Sequence, residues 1–267
     1  MTLVIIDLSY WIFYRYFATY SWYSRNDNKN KIPMKDPIFL EKYDKIFEQT
    51  LLDIQKKYEV SWTSIYLAKD CPRDEIWRMS HYSKYKKTRD DRNTTFDKDI
   101  FVHTILTLIP RIQAKYKGCN ILSLPNLEAD DIAAILKKHI RSENPTKDIV
   151  IITNDNDYIQ LLDDYTLIVN LQGKDLRSRI DCSPEMYLKR KIILGDVSDN
   201  IMSIAKKVGE KTAMKLALSD EALEKLFIKD PESKKNYELN KLLISFESIP
   251  CEYQNQVIKL YKDIVNI

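Results

Sequence analysis

The sequence predicts an α/β fold with a central, mostly parallel sheet flanked by helices. Three short β-rich runs support this prediction, at residues 2–6, 63–68 and 148–153. Longer segments with apolar residues at helical spacing lie between them, such as residues 38–57 and 99–116. Strands that alternate with helices favour a parallel sheet, because parallel neighbours need a long crossover connection.

The remaining elements follow from the same apolar patterns. Residues 8–18 predict a largely buried helix after the first strand, and residues 19–37 predict a polar loop. Two weaker strands are expected at residues 120–124 and 165–171. From about residue 184 onward the pattern is helical with several breaks.

Length and composition indicate a globular protein. The chain has 267 residues, of which 44% are hydrophobic and 30% are charged, which suits one domain or a core with a smaller appended subdomain. The segment Met1–Asp7 reaches an acidic residue too early for a signal peptide, and no apolar run approaches the ~20 residues of a membrane span. We therefore expect no secretion and no membrane partner.

The four cysteines are scattered and form no CxxC pair, which indicates free thiols in a reducing compartment such as the cytoplasm. The three histidines also lack the spacing of zinc ligands. The net charge of +3 is weak evidence for a nucleic-acid partner, since such proteins are often far more basic. The distribution of the charges along the chain is more informative than their sum.

Acidic residues follow the predicted strands at the point where each strand ends. Asp7 closes the first run, Asp70 follows the second, and Asp155 follows the strand at 148–153. In open α/β sheets this carboxyl edge is where ligands bind. Carboxylates gathered there repel one another and stay ionised only if a cation lies among them. Oxygen ligands without His or Cys favour Mg²⁺ or Mn²⁺ over zinc.

Further acids are concentrated at two predicted helix starts and in one turn. They are Glu128, Asp130, Asp131, Asp157, Asp196 and Asp199. Any one of them is more simply explained as a helix cap or a turn residue. Together with the three strand-end acids they predict a two-metal site, in which ions ~3.5–4 Å apart clamp the attacking and leaving oxygens of a phosphoryl displacement.

Several segments of the chain match the motifs of a known family. They are Leu3–Ser9, Tyr85–Arg89, Glu128–Ile132, Ile151–Leu162, Gly195–Ile201, Gly209–Ala213 and Asn240–Pro250. In order and spacing they resemble the 5′ nuclease superfamily, which comprises flap endonucleases, the 5′ nuclease domain of bacterial DNA polymerase I and phage 5′ exonucleases. Within it, the chain is most similar to the T-even-phage ribonuclease H type.

The resemblance implies a PIN-like nuclease core with a helical arch and a C-terminal helical hairpin. The core would comprise residues 1–190, including an arch at about 71–98 through which a single-stranded 5′ end passes. Residues 191–267 would form a hairpin and C-terminal helical subdomain. Within it, residues 195–217 would grip duplex DNA by its backbone.

The resemblance also implies a role for each acid. One metal would be held mainly by Asp7, Asp70, Glu128 and Asp130. The other would be held mainly by Asp131, Asp155, Asp157, Asp196 and Asp199, some of them through water. Lys86 and Arg89 fall where the family places catalytic basic residues beside the scissile phosphate.

The chain departs from the family pattern in the hairpin. The family is usually glycine-rich there, because backbone amides must approach phosphate closely, whereas only Gly209 remains here. This departure argues against the usual duplex grip and against a monovalent cation at the hairpin. Side-chain contacts to phosphate are one replacement, and a solvated helix face is the other interpretation of the same lysines. These are Lys206, Lys207, Lys211 and Lys215.

Aromatic residues accompany the basic residues of the predicted arch. Trp77, Tyr82 and Tyr85 could stack on unpaired bases, as in single-strand-binding proteins, and of these Tyr85 is the predicted nucleic-acid contact. The alternative is an exposed charged helix. Lys86 and Arg89 would share one face of such a helix, which favours the functional interpretation for that pair.

These observations predict a Mg²⁺-dependent 5′→3′ exonuclease and flap endonuclease that acts on DNA and on RNA–DNA primers in replication or repair. The expected cofactors are two Mg²⁺ or Mn²⁺ ions, and the expected substrate is DNA with a 5′ flap or end. We expect a monomer, in the cytoplasm or wherever DNA is replicated, with single-stranded-DNA-binding or replication proteins as further candidate partners. A PIN-type ribonuclease and a catalytically silent nucleic-acid-binding protein are the alternatives.

Overall fold

A central five-stranded sheet organises the structure, a computed structural model that describes residues 2–25, 32–87 and 96–266. Every pair of neighbouring strands is parallel. The strands are β1 (Leu3–Asp7), β2 (Ile65–Ala68), β3 (Asn120–Leu122), β4 (Ile149–Ile152) and β5 (Thr166–Val169). The predicted parallel α/β architecture is confirmed.

Helices surround the sheet and continue beyond it toward the C-terminus. In the described part of the chain the α-helices are α1 (Leu8–Ser24), α2 (Pro37–Tyr58), α3 (Asp99–His103), α4 (Ile109–Tyr116), α5 (Ala129–Glu143), α6 (Pro184–Leu194), α7 (Glu210–Leu218), α8 (Asp220–Lys229), α9 (Pro231–Ile244) and α10 (Cys251–Val265). No helix among the described residues is both long and apolar enough to cross a bilayer.

Two predicted elements differ from the observed ones. The loop predicted at residues 19–37 is wrong for its first part, because α1 continues to Ser24. Tertiary contacts extend the helix: the Tyr23 ring packs against Phe39, and its hydroxyl donates to Asp36 at 2.6 Å. The helix predicted at residues 99–116 is interrupted by a π-helical turn. Pro110 follows that turn and has no backbone N–H, so it cannot donate the hydrogen bond that a regular helix needs at this position.

The two faces of the sheet are covered by different helices. On β1, Val4 and Ile6 join the core formed with α1 and α2, whereas Leu3 and Ile5 join the core formed with α5 and α10. Because both faces are buried, β1 is apolar at consecutive positions instead of alternating with polar residues. The sheet is therefore a rigid base for whatever lies at its ends.

The strand order places a crevice at one edge of the sheet. The order is β3-β2-β1-β4-β5, so the chain first builds outward from β1 on one side and then returns to build on the other. Ligands of open α/β sheets bind outside the carboxyl ends of the strands at such a switch point. Here the switch point lies between β1 and β4. Asp7 is the last residue of β1, and Asp155 follows the end of β4.

The C-terminal helices form a second, smaller core beside the sheet. Ile193 of α6, Ile204, Ala213 of α7 and Phe227 of α8 belong to this cluster. The predicted boundary between residues 190 and 191 falls inside α6, and the division into two units stays a prediction. In the predicted arch, the described residues contain two short 3₁₀ turns, Arg73–Glu75 and Trp77–Ser80, and Arg89 lies outside the described residues.

A tight turn follows α6 and requires a glycine. Gly195 has φ of +78°, and a Cβ at this position would lie 2.5 Å from the backbone carbonyl carbon of Met202. The next residue, Asp196, closes the turn by exchanging backbone hydrogen bonds with Ile201 at 2.9 and 2.8 Å. The glycine thus sets the position of the Asp196 carboxylate.

We expect Gly195→Ala to lower the free energy of unfolding by about 1–3 kcal/mol, because the added methyl group meets backbone that cannot move aside. Denaturant unfolding measures this loss. Gly209→Ala is the matched control, since a Cβ at Gly209 would meet no atom within 4 Å among the described residues and its φ is −109°. Equal stability of the two variants would show that the turn tolerates a side chain.

Candidate metal centre

A cavity of about 620 Å³ opens at the carboxyl edge of the sheet. Five of the predicted metal ligands line it: Asp7, Asp70, Glu128, Asp130 and Asp155. They come from the ends of three different strands and from the start of α5. The parallel arrangement therefore brings together acids that are up to 148 positions apart in sequence (155 − 7).

The strand-end carboxylates are held by hydrogen bonds to neighbouring elements. Asp7 accepts from the Tyr10 N–H in the first turn of α1 and from the Thr153 hydroxyl after β4, both at 3.0 Å. Asp70 accepts from the Ala129 N–H in the first turn of α5 at 2.8 Å. Both residues also line the cavity.

The start of α5 supplies a second set of fixed carboxylates. Glu128 and Asp131 form a reciprocal capping box, in which each side chain accepts from the backbone N–H of the other. Asp130 accepts from the Asp131 N–H at 2.8 Å. Carboxylate oxygens of the three acids lie within 4.8 Å of one another, which is close enough to share one ion.

Arg78 is a buried arginine that the sequence analysis did not identify. Its guanidinium forms two parallel hydrogen bonds to Asp131, at 2.8 and 2.7 Å, and a third to Glu128 at 3.1 Å. Its Nε donates to the Leu243 carbonyl at 2.8 Å. Arg78 is 1% exposed and Asp131 0%, so the pair is shielded from water.

The partners of Asp131 change its expected role. The resemblance assigned Asp131 to the second metal, but the structure groups it with Glu128 and Asp130. Both of its oxygens bind Arg78, and one also accepts from the Trp77 indole at 3.1 Å. Asp131 is not among the residues that line the cavity, and its assignment as a metal ligand stays a prediction.

Lys86 joins the two groups of acids. Its ammonium pairs with Glu128 and lies 3.6 Å from Asp199, while its backbone N–H donates to the Asp199 carbonyl at 3.0 Å. Burial would lower the pKa of Lys86, but the charges of Glu128 and other nearby groups raise it well above its ordinary value. Lys86 is thus a fixed cation in the cavity wall.

The aromatic residues of the predicted arch are mostly turned inward. Tyr85 is 3% exposed, and its hydroxyl donates to Glu128 at 2.9 Å. Trp77 is 4% exposed. The predicted contact of Tyr85 with nucleic acid does not fit this arrangement, because the apolar ring is more stable in the core and leaves no open face for a base. Tyr82 is half-buried and donates to the Asn200 carbonyl at 3.1 Å.

A second acidic group lies beside the first group, which comprises the five acids that line the 620 Å³ cavity. Oxygens of Asp157, Asp196 and Asp199 come within 4.8 Å of one another. An adjacent cavity of about 680 Å³ is lined by Asp155, Asp157 and Asp196, so Asp155 borders both cavities. The described site residues therefore form two neighbouring carboxylate groups, and the number of ions that they hold stays a prediction.

Lys191 of α6 is a further cation that the sequence analysis did not identify. Its ammonium contacts Asp157 and lies 2.8 Å from Asp196. Burial would raise the pKa of Asp196, but the Lys191 charge and hydrogen bonds outweigh it and lower the pKa to about 2. The second group therefore carries its own positive charge.

The first group lacks such compensation at two of its acids. Burial, and then the charge of Asp70, raises the pKa of Asp7 to about 7. Burial, and then the charges of Glu128 and Asp131, raises the pKa of Asp130 well above its ordinary value. A set of oxygen ligands with surplus negative charge fits a hard divalent cation. Cys71 also lines the cavity, but burial raises the pKa of its thiol to about 12, so the thiol stays protonated.

The predicted nucleic-acid contacts of the hairpin lie on the surface. Gly209 caps α7 and lines the second cavity. Four lysines on and before α7 are exposed: Lys206, Lys207, Lys211 and Lys215. Their exposed position is compatible both with phosphate contacts and with a solvated helix face.

The parallel sheet, its switch point and the acidic carboxyl edge define an α/β protein with a candidate cation site at the sheet edge. The family model described as 5′-3′ exonuclease, N-terminal resolvase-like domain, matches residues 2–190, and the chain belongs to this family. The predicted membership in the 5′ nuclease superfamily is confirmed. The finer resemblance to the T-even-phage type stays a prediction.

Relatives with known names agree with the family. A 5′-3′ exonuclease of Halalkalibacterium halodurans is 28% identical over 245 residues, which cover 88% of this chain and 76% of the relative. DNA polymerase I of Lactococcus lactis subsp. lactis is 28% identical over 236 residues, which cover 84% of this chain. The match spans only 25% of that polymerase, so the chain corresponds to about a quarter of its length.

Solved structures share the fold over the whole chain. A bacteriophage T5 5′-exonuclease with bound divalent metal ions (zinc) has a TM-score of 0.69 at 20% identity and covers 100% of this chain and 99% of its own. A T5 flap endonuclease in a pseudo-enzyme-product complex with DNA and metal ions has a TM-score of 0.70 at 20% identity, covering 100% and 98%. At this level of identity the likeness establishes the fold.

We expect Arg78→Met to lower the free energy of unfolding by about 3–5 kcal/mol, because it leaves buried carboxylates without their cation. Denaturant unfolding in the presence of chelator measures the loss. Arg111→Met is the matched control: Arg111 pairs with Asp44 at 3.0 Å, but its side chain is 54% exposed, and such pairs contribute about 1 kcal/mol or less. Equal losses in both variants would contradict the proposed support by Arg78.

The raised pKa of Asp7 predicts a pH-dependent loss of stability in the metal-free protein. In the folded state Asp7 keeps its proton up to about pH 7, whereas its ordinary value is 3.8. Because the proton binds more tightly in the folded state, it stabilises the fold fully when the pH is below 3.8, the ordinary pKa. This stabilisation is lost as the pH rises through about 7, the pKa in the folded state. We therefore expect the wild type to lose a few kcal/mol relative to Asp7→Asn between about pH 4 and pH 8. Unfolding at both pH values in chelator tests this, and a pH-independent difference would contradict it.

Proposed function

We propose that the chain is a 5′→3′ exonuclease and flap endonuclease that requires Mg²⁺ or Mn²⁺ and acts on DNA. The observation that carries the proposal is the pair of carboxylate groups at the carboxyl edge of the sheet, in a chain that belongs to the 5′-3′ exonuclease family. The names of the relatives support the reaction, and the DNA-bound T5 flap endonuclease supports the substrate.

The acids divide between two metals. Asp7, Asp70, Glu128 and Asp130 would hold the first, and Asp155, Asp157, Asp196 and Asp199 would hold the second. Asp155 lines both cavities, so it is placed to connect the two groups. When bound, two divalent ions supply the positive charge that stabilises the attacking and leaving oxygens of a phosphoryl displacement.

The cations of the chain would act on the phosphate itself. Lys86 lines the first cavity, where its ammonium can approach a non-bridging oxygen of the scissile phosphate. A charge fixed in place before the reaction stabilises developing negative charge without reorganisation. Arg89, assigned to the same task by the resemblance, lies outside the described residues and remains a prediction.

Substrate binding would involve the arch at 71–98 and the hairpin at 195–217. We propose that Lys206, Lys207, Lys211 and Lys215, with Gly209 at the start of α7, contact the duplex backbone. Exposed lysines can reach phosphate oxygens, as this assignment requires. RNA–DNA primers are a further substrate, and primer removal or repair is the proposed role, because the DNA polymerase I relatives carry a similar segment.

Cleavage of a 5′-flapped duplex tests the proposal. We expect cleavage with Mg²⁺ or Mn²⁺, loss of cleavage in excess chelator, and loss when the 5′ end is blocked. Asp155→Asn should lower the single-turnover rate by about 10²-fold or more while the duplex still binds, since it weakens a metal ligand and reduces repulsion of phosphate. Glu232→Gln, at an exposed position on α9, is the control that should cleave normally.

The alternatives give different results in the same assay. A PIN-type ribonuclease would cleave single-stranded RNA in preference to the flapped DNA. A catalytically silent binding protein would bind the flap and cleave neither substrate at any Mg²⁺ concentration. Undiminished cleavage in excess chelator would exclude the two-metal site.

A further inference from the structure

Tyr158 is a buried tyrosine whose hydroxyl has no partner among the described residues. It lies in the 3₁₀ helix Asn156–Leu161, directly after Asp157, and is 1% exposed. Its hydroxyl oxygen forms no hydrogen bond to any described residue. A buried hydroxyl without a partner is unfavourable, since it loses its hydrogen bonds to water on folding. Most buried polar groups in proteins avoid this cost, so such a hydroxyl needs an explanation.

The position of the side chain supplies one. Tyr158 lines the first cavity together with Asp7, Asp70, Asp130 and Asp155. A phenolic hydroxyl carries a proton and is available as a hydrogen-bond donor.

Two other hydroxyls that line the first cavity already donate to carboxylates. The Thr153 hydroxyl donates to Asp7, and the Ser9 hydroxyl donates to Asp70. Each of them fixes a carboxylate from the side. The Tyr158 side chain lines the same cavity, and its hydroxyl binds none of these acids, which leaves a molecule bound in the cavity as the candidate acceptor.

We propose that Tyr158 is a positioning residue of the metal centre, whose hydroxyl donates a hydrogen bond to a water molecule in the coordination shell of the first divalent ion. The proposal rests on the metal site of the proposed function. Groups that orient the shell of a metal in this way contribute to its affinity. If the Tyr158 ring only packed in the core, removal of the hydroxyl would leave the metal affinity unchanged.

The test compares Tyr158→Phe with Tyr43→Phe, which removes a buried hydroxyl that does have a hydrogen-bond partner. Tyr43 of α2 is also fully buried, but its hydroxyl is hydrogen-bonded to Thr104 at 2.8 Å, and neither residue lines the cavity. Both substitutions remove one oxygen and leave the ring. Binding of Mn²⁺ is measured by calorimetry, and the melting temperature is measured in excess chelator. Asp7→Asn identifies the component of the Mn²⁺ isotherm that belongs to the first cavity.

We expect Tyr158→Phe to weaken Mn²⁺ binding at the first cavity by about 10- to 100-fold. Its melting temperature in chelator should be unchanged or higher, because the lost hydroxyl had no partner on the protein. Tyr43→Phe should show the reverse, with a lower melting temperature and unchanged Mn²⁺ affinity.

Three results would overturn the proposal, and they are distinguishable. If Tyr158→Phe binds Mn²⁺ as tightly as the wild type, the hydroxyl has no role at the metal, while the proposed function stands. If its melting temperature in chelator falls as far as that of Tyr43→Phe, the hydroxyl has a structural partner. If the wild type itself binds no Mn²⁺, the proposed metal site fails and this inference fails with it.

Discussion

The interaction on which the site depends is the neutralisation of carboxylates that the fold forces into one buried place. Parallel strands that end together deliver acids to one edge, next to two packed apolar faces. A buried carboxylate without a compensating charge is strongly unfavourable. The guanidinium of Arg78 meets this requirement for Asp131 and Glu128, and its flat fork matches the two oxygens of Asp131.

The compensating cations also join parts of the chain that would otherwise be separate. Arg78 binds the acids of α5 and, through its Nε, the end of α9. Lys86 links the start of α5 to the turn that carries Asp199, and Lys191 links α6 to Asp157. The charge balance of the site is thus distributed over the sheet, the 71–87 segment and the C-terminal helices. A displacement of any one of these parts would therefore alter the charge balance at the carboxylates.

The sequence predicted those features that depend on local rules. Strand-end acids such as Asp7 and Asp155 could be found because strand pattern and the carboxyl-edge rule need no partner. Arg78 could not be found, since its partner Asp131 is 53 positions away and only the tertiary fold reveals the pair. The same limit explains the orientation of Tyr85: an aromatic residue among charges fits a base-binding surface or a core equally well until its neighbours are known.

The central place of β1 in the sheet has a consequence for how the chain acquires its fold during synthesis. Leu3 pairs with Ile149, and the other edge of β1 pairs with β2 from Val4 and Ile65 onward. One edge of an apolar strand therefore stays unpaired until the ribosome has made well over a hundred further residues, which takes on the order of ten seconds at about 5–20 residues per second. An uncovered strand edge is a template for association with other chains. The nascent chain is thus most exposed to aggregation before β4 emerges.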